Sequence, residues 1–218
     1  MPNIDLIIFD CDGVLVDTEK ISCGVIAEEA RNLGVDLSNQ EALETFSGTS
    51  YSFVFDFIEQ RLGKKLPENF EENYRKRTFE EFEKKLQPIP GIHDVIKKLN
   101  LPFCVASNAP SYKVEFNLKL VNLFPFFENK IFSAYQVNAW KPNPTLFLTA
   151  AKKMGFSPSE TLVLSNALTL WASFALKCSS GALSAACVQL GAIQGSCWRW
   201  KSLDILGQGS SLYTQTPD

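Results

Sequence analysis

The sequence predicts an α/β fold with a doubly wound, mainly parallel, Rossmann-like sheet and an inserted α-helical lobe. A nearly continuous apolar run from Ile4 to Asp10 stops at Cys11-Asp12-Gly13, as expected for a strand buried on both faces of a parallel sheet. Charged segments typical of helices then occupy about residues 19–86. After residue 91, strand and helix signals alternate, which is the rhythm of βαβ units in an open sheet.

The chain divides into three parts. Residues 1–16 and 88–164 are predicted to form the α/β core, and residues 17–87 the helical lobe. The 54 positions of the tail, 165–218, hold five charged side chains, whereas the first 164 positions hold forty. No tail segment has a clear strand or helix pattern, so we expect a mobile or misdirected tail.

Composition argues against several classes of partner. The net charge is −3 with both signs mixed, which provides no basic stripe for nucleic acid. No apolar run reaches about 18 residues, and the first residues lack a signal-peptide pattern, so we expect no membrane contact and a cytoplasmic location. Six cysteines without close spacing and a single histidine indicate free thiols rather than a zinc site.

Two acids follow the first predicted strand. Asp10 and Asp12 are two residues apart, so the alternation of a strand directs both carboxylates to one side and Cys11 to the other. Such a pair can bind Mg²⁺, which in turn keeps one acid ionised and nucleophilic. Gly13 allows close approach of a ligand oxygen to a backbone amide. A turn without a site is the alternative, and a calcium loop is excluded by the position of Gly13.

Polar residues also follow two later strand-like segments. Ser107 and Asn108 end the apolar run 103–106, where a hydroxyl and an amide can bind phosphate oxygens. A helix N-cap or a turn is the alternative for this pair. Lys141 stands among two prolines before a predicted helix. Its ammonium could offset the charge of a carboxylate and a phosphate, although most lysines are merely solvated.

The order of these three sites resembles the haloacid dehalogenase superfamily. The matching segments are Phe9–Glu19, Val105–Asn108 and Trp140–Pro144. Within the superfamily, the chain is similar to the β-phosphoglucomutase-like and phosphoglycolate phosphatase-like subgroup. That subgroup has a helical cap inserted after the first motif, where residues 17–87 lie in this chain. The resemblance covers residues 4 to about 164.

The resemblance implies a Mg²⁺-dependent phosphoric monoester hydrolase that acts on a small phosphorylated metabolite, such as a sugar phosphate. Asp10 would attack phosphorus to form an aspartyl-phosphate, and Asp12 would protonate the leaving oxygen and then activate water. Ser107 and Lys141 would hold the phosphate, with Asn108 close by. Asp10 and the main-chain carbonyl of Asp12 would bind Mg²⁺.

The resemblance ends after the predicted strand 161–164. There the family has an acidic fourth motif that completes the metal shell, whereas this chain has Ser165-Asn166-Ala167. A hard cation held by fewer carboxylates binds more weakly. A shift of reading frame near residue 165 is one hypothesis for the unusual tail, and alternative splicing and true divergence are its competitors.

Two rival functions are also considered. A phosphomutase would use the same nucleophile and return the phosphate to a sugar, whereas a non-catalytic relative would have lost its metal site with the fourth motif. The loop 46–50 of the lobe resembles the segment that meets substrate in the subgroup. We expect Cys11 to serve packing, His93 to lie at the surface and the aromatic run 124–127 to fill core or cap-facing space.

Overall fold

The structure is a computed structural model that describes residues 4–165 and the backbone of residues 184–187. In these parts of the chain, five strands form one sheet in the order β3-β2-β1-β4-β5. Every pairing between neighbouring strands is parallel, which confirms the predicted α/β class and gives the strand order of a doubly wound sheet. The strands are β1 Leu6–Phe9, β2 Phe103–Ser107, β3 Ile131–Ser133, β4 Thr161–Ser165 and β5 Ser184–Cys187.

Helices form the inserted lobe and flank the sheet. The lobe contains α1 Glu19–Asn32, α2 Asn39–Phe46, α3 Tyr51–Leu62 and α4 Phe70–Lys85. The core contains α5 Ile92–Lys98, α6 Ser111–Leu120, α7 Phe124–Phe127, α8 Ala134–Val137 and α9 Thr145–Met154. No helix among the described residues is long and apolar enough to cross a membrane.

The sheet is buried on both faces. Ile7 and Phe9 of β1 pack with α5, α6 and α7 in one apolar cluster, whereas Leu6 and Ile8 pack with α9 in a second. The alternation along β1 therefore divides its side chains between two helical layers. This arrangement explains the continuous apolar run in the sequence and fixes the position of the residues that follow β1.

The aromatic run 124–127 fills core space, as predicted. Phe127 is fully buried, and its ring lies 6.2 Å from the ring of Phe9 and 5.2 Å from that of Phe103, both edge to face. Phe124 and Phe126 pack against the same cluster. The short helix α7 thus closes one face of the sheet.

Replacing Phe127 by alanine should lower the free energy of unfolding by about 3–5 kcal/mol, because a large buried ring is removed and its neighbours cannot fill the space. Phe53→Ala is the control, since Phe53 is 47% exposed and its loss should cost less than about 1 kcal/mol. Chemical denaturation of both variants provides the measurement. Equal losses in the two variants would contradict the assignment of Phe127 to the core.

The tail contains a strand that the sequence pattern did not predict. Ser184–Cys187 pairs with β4 in the register Leu162↔Ser184 to Ser165↔Cys187, so the expectation of no regular structure was wrong there. Small residues without β-branching give little strand signal, and β4 supplies the backbone partners. Apart from Ser165 and β5, the tail lies outside the described residues, and so do the hypotheses about its reading frame and mobility.

His93 is not a free surface residue. It lies in α5, away from the three motifs as predicted, but it is half-buried. Its Nε2 atom lies 2.9 Å from the backbone carbonyl of Val121. The imidazole therefore links the start of α5 to the residue that follows α6, because a carbonyl there lacks a helical partner.

The lobe joins the core through two adjacent segments. Val16 forms an antiparallel bridge with Pro88, and the amide of Asp17 donates to the carbonyl of Gln87 at 3.0 Å. The chain thus leaves the core and returns to it at one place. The lobe has an apolar cluster of its own, built from its helices α1 to α4.

Candidate active site

A cavity of about 620 Å³ lies between the carboxyl end of the sheet and the helical lobe. The core contributes loops that follow β1 and β2 and the segment before α9, and the lobe contributes residues of α1, α3, α4 and the loop after α2. Its polar lining residues include Asp10, Asp12, Thr18, Glu19, Ser47, Thr49, Tyr51, Arg75, Ser107, Asn108, Lys113, Tyr135 and Lys141. All three predicted motifs therefore meet in one cavity.

Asp10 is held by contacts on both carboxylate oxygens. Its Oδ1 lies 2.6 Å from Nζ of Lys141 and accepts the amide of Cys11 at 2.7 Å, while its Oδ2 accepts the hydroxyl of Ser165 at 3.0 Å. The Asp10 amide donates to the carbonyl of Leu164 at 2.8 Å. The backbone of β4 and two side chains therefore fix this carboxylate at the cavity wall.

Asp12 lines the same cavity as Asp10. Its Oδ1 accepts the hydroxyl of Thr18 at 2.9 Å. The cavity is thus lined by two acids that follow one strand.

Cys11 points the other way, into the apolar cluster of Ile7 and Phe9. Burial raises the pKa of the Cys11 thiol well above its ordinary value, and the negative charges of Asp12 and Asp10 raise it further. The side chain therefore stays a neutral thiol near neutral pH and is a poor nucleophile. Its burial confirms the predicted packing role.

Contrary to the prediction, Gly13 does not line the cavity. It adopts a φ of 74°, a conformation that glycine takes without steric cost. Its amide donates to the carbonyl of Val16 at 2.8 Å, and Gly13 is not among the cavity-lining residues. The amide thus closes the turn after Asp12 instead of facing a ligand, because this turn must reverse the chain before the lobe begins.

Ser107 and Asn108 line the cavity beside Asp10, and each already has a structural contact. Ser107 Oγ accepts the amide of Ala109 at 3.0 Å, as in a turn or cap. Asn108 Oδ1 accepts the amide of Lys141 at 2.8 Å. Asn108 therefore connects the second motif to the third, a link that the sequence pattern did not predict.

Lys141 is nearly buried, with 5% of its side chain exposed. Its ammonium contacts Asp10 and also lies 5.2 Å from the ring centroid of Phe147. An ion pair removed from water is stronger than one at the surface, and it requires good geometry to offset desolvation. The lysine is therefore a fixed cation at the first acid, not a solvated side chain.

Several cavity residues were not predicted from the sequence. Glu19 and Arg75 come from the lobe, and Lys113 comes from α6. Each falls within a charged or amphipathic helix, where the pattern is typical of a solvated face. Only the packing of the lobe over the core brings them to the cavity.

Oxygen ligands for a metal ion are present but few. Asp10 provides a carboxylate and Asp12 a main-chain carbonyl at the cavity, which suit Mg²⁺, since this ion usually keeps water and binds one or two carboxylates with a substrate phosphate. No group of three or more His, Cys, Asp or Glu residues is arranged for a metal among the residues that the structure describes. At the predicted position of the fourth motif, Ser165 contacts Asp10.

The protein is thus an α/β protein with an open parallel sheet and an acid-containing cleft. Two acids, a serine and a lysine lie at the carboxyl end of the sheet, and a helical lobe covers them. The family model of haloacid dehalogenase-like hydrolases matches residues 4–177, and the chain belongs to this family. The match continues beyond residue 164, so the similarity ends later in the tail than expected.

Relatives of this chain support the same assignment. It is 29% identical over 169 residues to the 6-phosphogluconate phosphatase of Escherichia coli (strain K12), covering 77% of this chain and 76% of that protein. It is 35% identical over 172 residues to YhcW of Bacillus subtilis (strain 168), covering 76% of each. A haloacid dehalogenase-like protein of unknown function from Agrobacterium tumefaciens has a similar structure, with a TM-score of 0.70, 32% identity, and coverage of 76% of this chain and 75% of that one.

Proposed function

We propose that this protein is a Mg²⁺-dependent phosphatase that hydrolyses a small phosphorylated metabolite through an aspartyl-phosphate on Asp10. The observation that carries the proposal is that Asp10 and Asp12 line one cavity, with Nζ of Lys141 only 2.6 Å from Oδ1 of Asp10. A carboxylate nucleophile, a second acid and a fixed cation are the groups that phosphoryl transfer through a covalent intermediate requires.

Asp10 is suited to the nucleophilic role. The ion pair with Lys141 and the hydrogen bond from Ser165 hold the carboxylate in one orientation. A nucleophile held in the geometry of attack avoids much of the entropic cost of a bimolecular step. Attack of an Asp10 oxygen on phosphorus would form the aspartyl-phosphate as the bond to the leaving oxygen breaks.

Asp12 is the candidate acid and base. In the first step its carboxyl group would donate a proton to the leaving oxygen, and in the second it would take a proton from the water that hydrolyses the intermediate. Its contact with Thr18 fixes the orientation of the side chain. Because Thr18 directly precedes α1, the first residues of the lobe help to position the acid.

The remaining motif residues would bind the transferred phosphoryl group. Ser107 has a hydroxyl that can donate to a phosphate oxygen, and Lys141 has a cation beside the reacting carboxylate. Asn108 holds the backbone of Lys141 and so positions this cation. The carboxylate of Asp10 and the main-chain carbonyl of Asp12 would hold Mg²⁺, which would supply positive charge to the phosphate oxygens.

The relatives support the reaction type and a broad substrate class. The Escherichia coli relative is named for 6-phosphogluconate, and a relative from Thermotoga maritima, 24% identical over 167 residues, is named a phosphorylated carbohydrates phosphatase. Both names describe small phosphate monoesters. The cavity of about 620 Å³ lies in the size range of small-molecule sites.

One observation favours a second candidate, a non-catalytic relative. Ser165, a neutral residue, stands where an acidic metal ligand is expected and hydrogen-bonds to Asp10. The loss of a negative ligand weakens the binding of a hard cation. Under this alternative the protein would fold and would bind phosphorylated compounds without turning them over.

Removal of Mg²⁺ should abolish hydrolysis of p-nitrophenyl phosphate, and addition of excess Mg²⁺ should restore it. The physical reason is that the ammonium of Lys141 is already paired with Asp10, so Mg²⁺ would supply the further positive charge that an entering phosphate beside this carboxylate requires. Release of p-nitrophenol with and without EDTA provides the measurement. Absence of turnover at every Mg²⁺ concentration, from a folded sample, would favour the non-catalytic alternative.

The variant Ser165→Asp separates a weak metal site from a lost one. If weak metal binding limits the natural chain, the added carboxylate should lower the Mg²⁺ concentration needed for half-maximal rate. Ser159→Asp is a matched control because Ser159 lies on a surface 3-10 turn outside the cavity.

Product analysis separates a phosphatase from a phosphomutase. With a sugar phosphate as substrate, free phosphate indicates a phosphatase, whereas an isomeric sugar phosphate would indicate a phosphomutase.

A further inference from the structure

Two cations line the cavity in addition to Lys141. Arg75 belongs to α4 of the lobe, and Lys113 belongs to α6 of the core. The Cζ atom of Arg75 lies 4.5 Å from the centroid of the Tyr51 ring, and Nζ of Lys113 lies 5.9 Å from that of the Phe82 ring. Neither side chain has a role in the phosphoryl transfer proposed above.

Lys113 carries a positive charge without a close counterion. Among the described residues, no carboxylate lies within ion-pair distance of its ammonium, in contrast to the 2.6 Å contact of Lys141. Burial lowers the pKa of Lys113, but the negative charge of Asp12 and other neighbours raise it more, and the net pKa lies above its ordinary value. Lys113 is therefore charged at neutral pH.

The acids that line the cavity form no ion pair with Lys113 among the described residues. Asp10 is paired with Lys141, and the carboxylate of Asp12 accepts the hydroxyl of Thr18. Burial raises the pKa of Glu19, a hydrogen bond from Ser47 opposes this, and the charge of Asp12 adds to the increase. Among the described residues, Glu19 forms no ion pair with Lys113 and instead has a hydrogen bond with Ser47.

Arg75 offers hydrogen-bond donors to the cavity, although its positive charge is already paired with Glu71. Its Nε and Nη2 atoms contact Glu71 Oε1 at 2.8 Å and 2.6 Å. A guanidinium has five N–H donors, so Arg75 retains donors for a ligand in the cavity that it lines. The positive charge of Arg75 also acts on Lys113, and an anion bound by both would relieve this repulsion.

We propose that Lys113 and Arg75 bind a carboxylate of the substrate, so that the protein acts on a phosphate monoester of a small organic acid. This inference rests on the proposed function for the identity of the reacting phosphate. One uncompensated ammonium matches a monoanion, whereas a second phosphate dianion would need another free cation. Contacts from both lobe and core would make recognition of the acid depend on the lobe covering the cavity.

A pair of compounds that differ in one group tests the proposal. 6-Phosphogluconate and sorbitol 6-phosphate have the same carbon skeleton, with a carboxylate in the first where the second has a hydroxymethyl group. Calorimetric titration of the Asp10→Asn protein with each compound measures binding without turnover. We expect the acid to bind about 10- to 100-fold more tightly, as for a hydrogen bond between two charged groups.

Charge-removing variants locate the effect. Lys113→Met in the Asp10→Asn protein should reduce the preference for the acid by about tenfold or more, and Arg75→Gln should reduce it by a smaller factor. Lys119→Met on the same α6 helix and Arg77→Gln on α4 are matched controls, because both residues lie outside the cavity and pair with lobe or core glutamates. Both controls should keep the full preference.

The outcomes separate this inference from the proposed function. Equal binding of the two compounds, no binding of either, or an equal loss for both in Lys113→Met would overturn the carboxylate site. A preference for fructose 1,6-bisphosphate over fructose 6-phosphate as large as the preference for the acid would also overturn it, in favour of a second phosphate. Failure of the natural protein to hydrolyse any phosphate monoester would instead refute the proposed phosphatase function. The binding preference for the acid would still test the proposed carboxylate site.

Discussion

Asp10→Asn should lower the rate of phosphate release by about 10³-fold or more, since an amide cannot form the aspartyl-phosphate. The substitution keeps the size of the side chain, and the amide oxygen can still face Lys141 while its nitrogen faces Ser165. We therefore expect the fold to persist. Steady-state release of p-nitrophenol, together with thermal unfolding of the same sample, provides the measurement.

Asp94→Asn is the matched control for this prediction. Asp94 lies exposed in α5, so the same chemical change should leave the rate within about twofold. If Asp10→Asn retained most of the activity of the natural protein, Asp10 could not be the nucleophile. Detection of phosphate bound to the natural protein after rapid quenching, and its absence in Asp10→Asn, would provide direct support.

Lys141→Met should lower kcat/KM by about 10²–10³-fold, the usual cost of removing one preorganised charge from a reacting group. Methionine has a similar length and fits a buried position, but it leaves the Asp10 carboxylate without the cation 2.6 Å away. The charge of the entering phosphate would then add to that of an unpaired acid. Kinetics with p-nitrophenyl phosphate at saturating Mg²⁺ measure the effect.

Two comparison variants support the interpretation of Lys141. Lys141→Arg retains the charge and should recover part of the lost rate, although a planar guanidinium does not reproduce the geometry of an ammonium. Lys152→Met removes an exposed lysine of α9 and should behave like the natural protein. Full activity in Lys141→Met would show that this cation has no part in the reaction.

The sequence predicted the sheet well because its signals are local. The apolar run of β1 and the segments that became β2 and β4 have the pattern of buried parallel strands, and the acids, Ser107 and Lys141 directly follow or precede such elements. The carboxyl ends of neighbouring parallel strands lie at one edge of a sheet. Chain order and strand order together therefore bring these residues to one cavity.

The sequence could not predict contacts that depend on packing across the lobe. Lys113 and Arg75 are separated by many residues, and each occupies a helix whose polar face is typical of solvent exposure. Gly13 was expected to donate to a ligand, but the turn uses its amide for the carbonyl of Val16. Local patterns report residue type and periodicity, whereas competition for a hydrogen bond is decided by the folded chain.

The paired entry and exit of the lobe at Val16 and Pro88 has a consequence for how the protein can vary. A segment whose two ends leave the core side by side can change in length or composition without re-routing the chain beneath it. The proposed reacting groups belong to the core, whereas Arg75 and the other lobe residues of the cavity lie on the inserted segment. Exchange of the inserted lobe for a different segment at these two points could therefore change the substrate selectivity while the core residues stay the same.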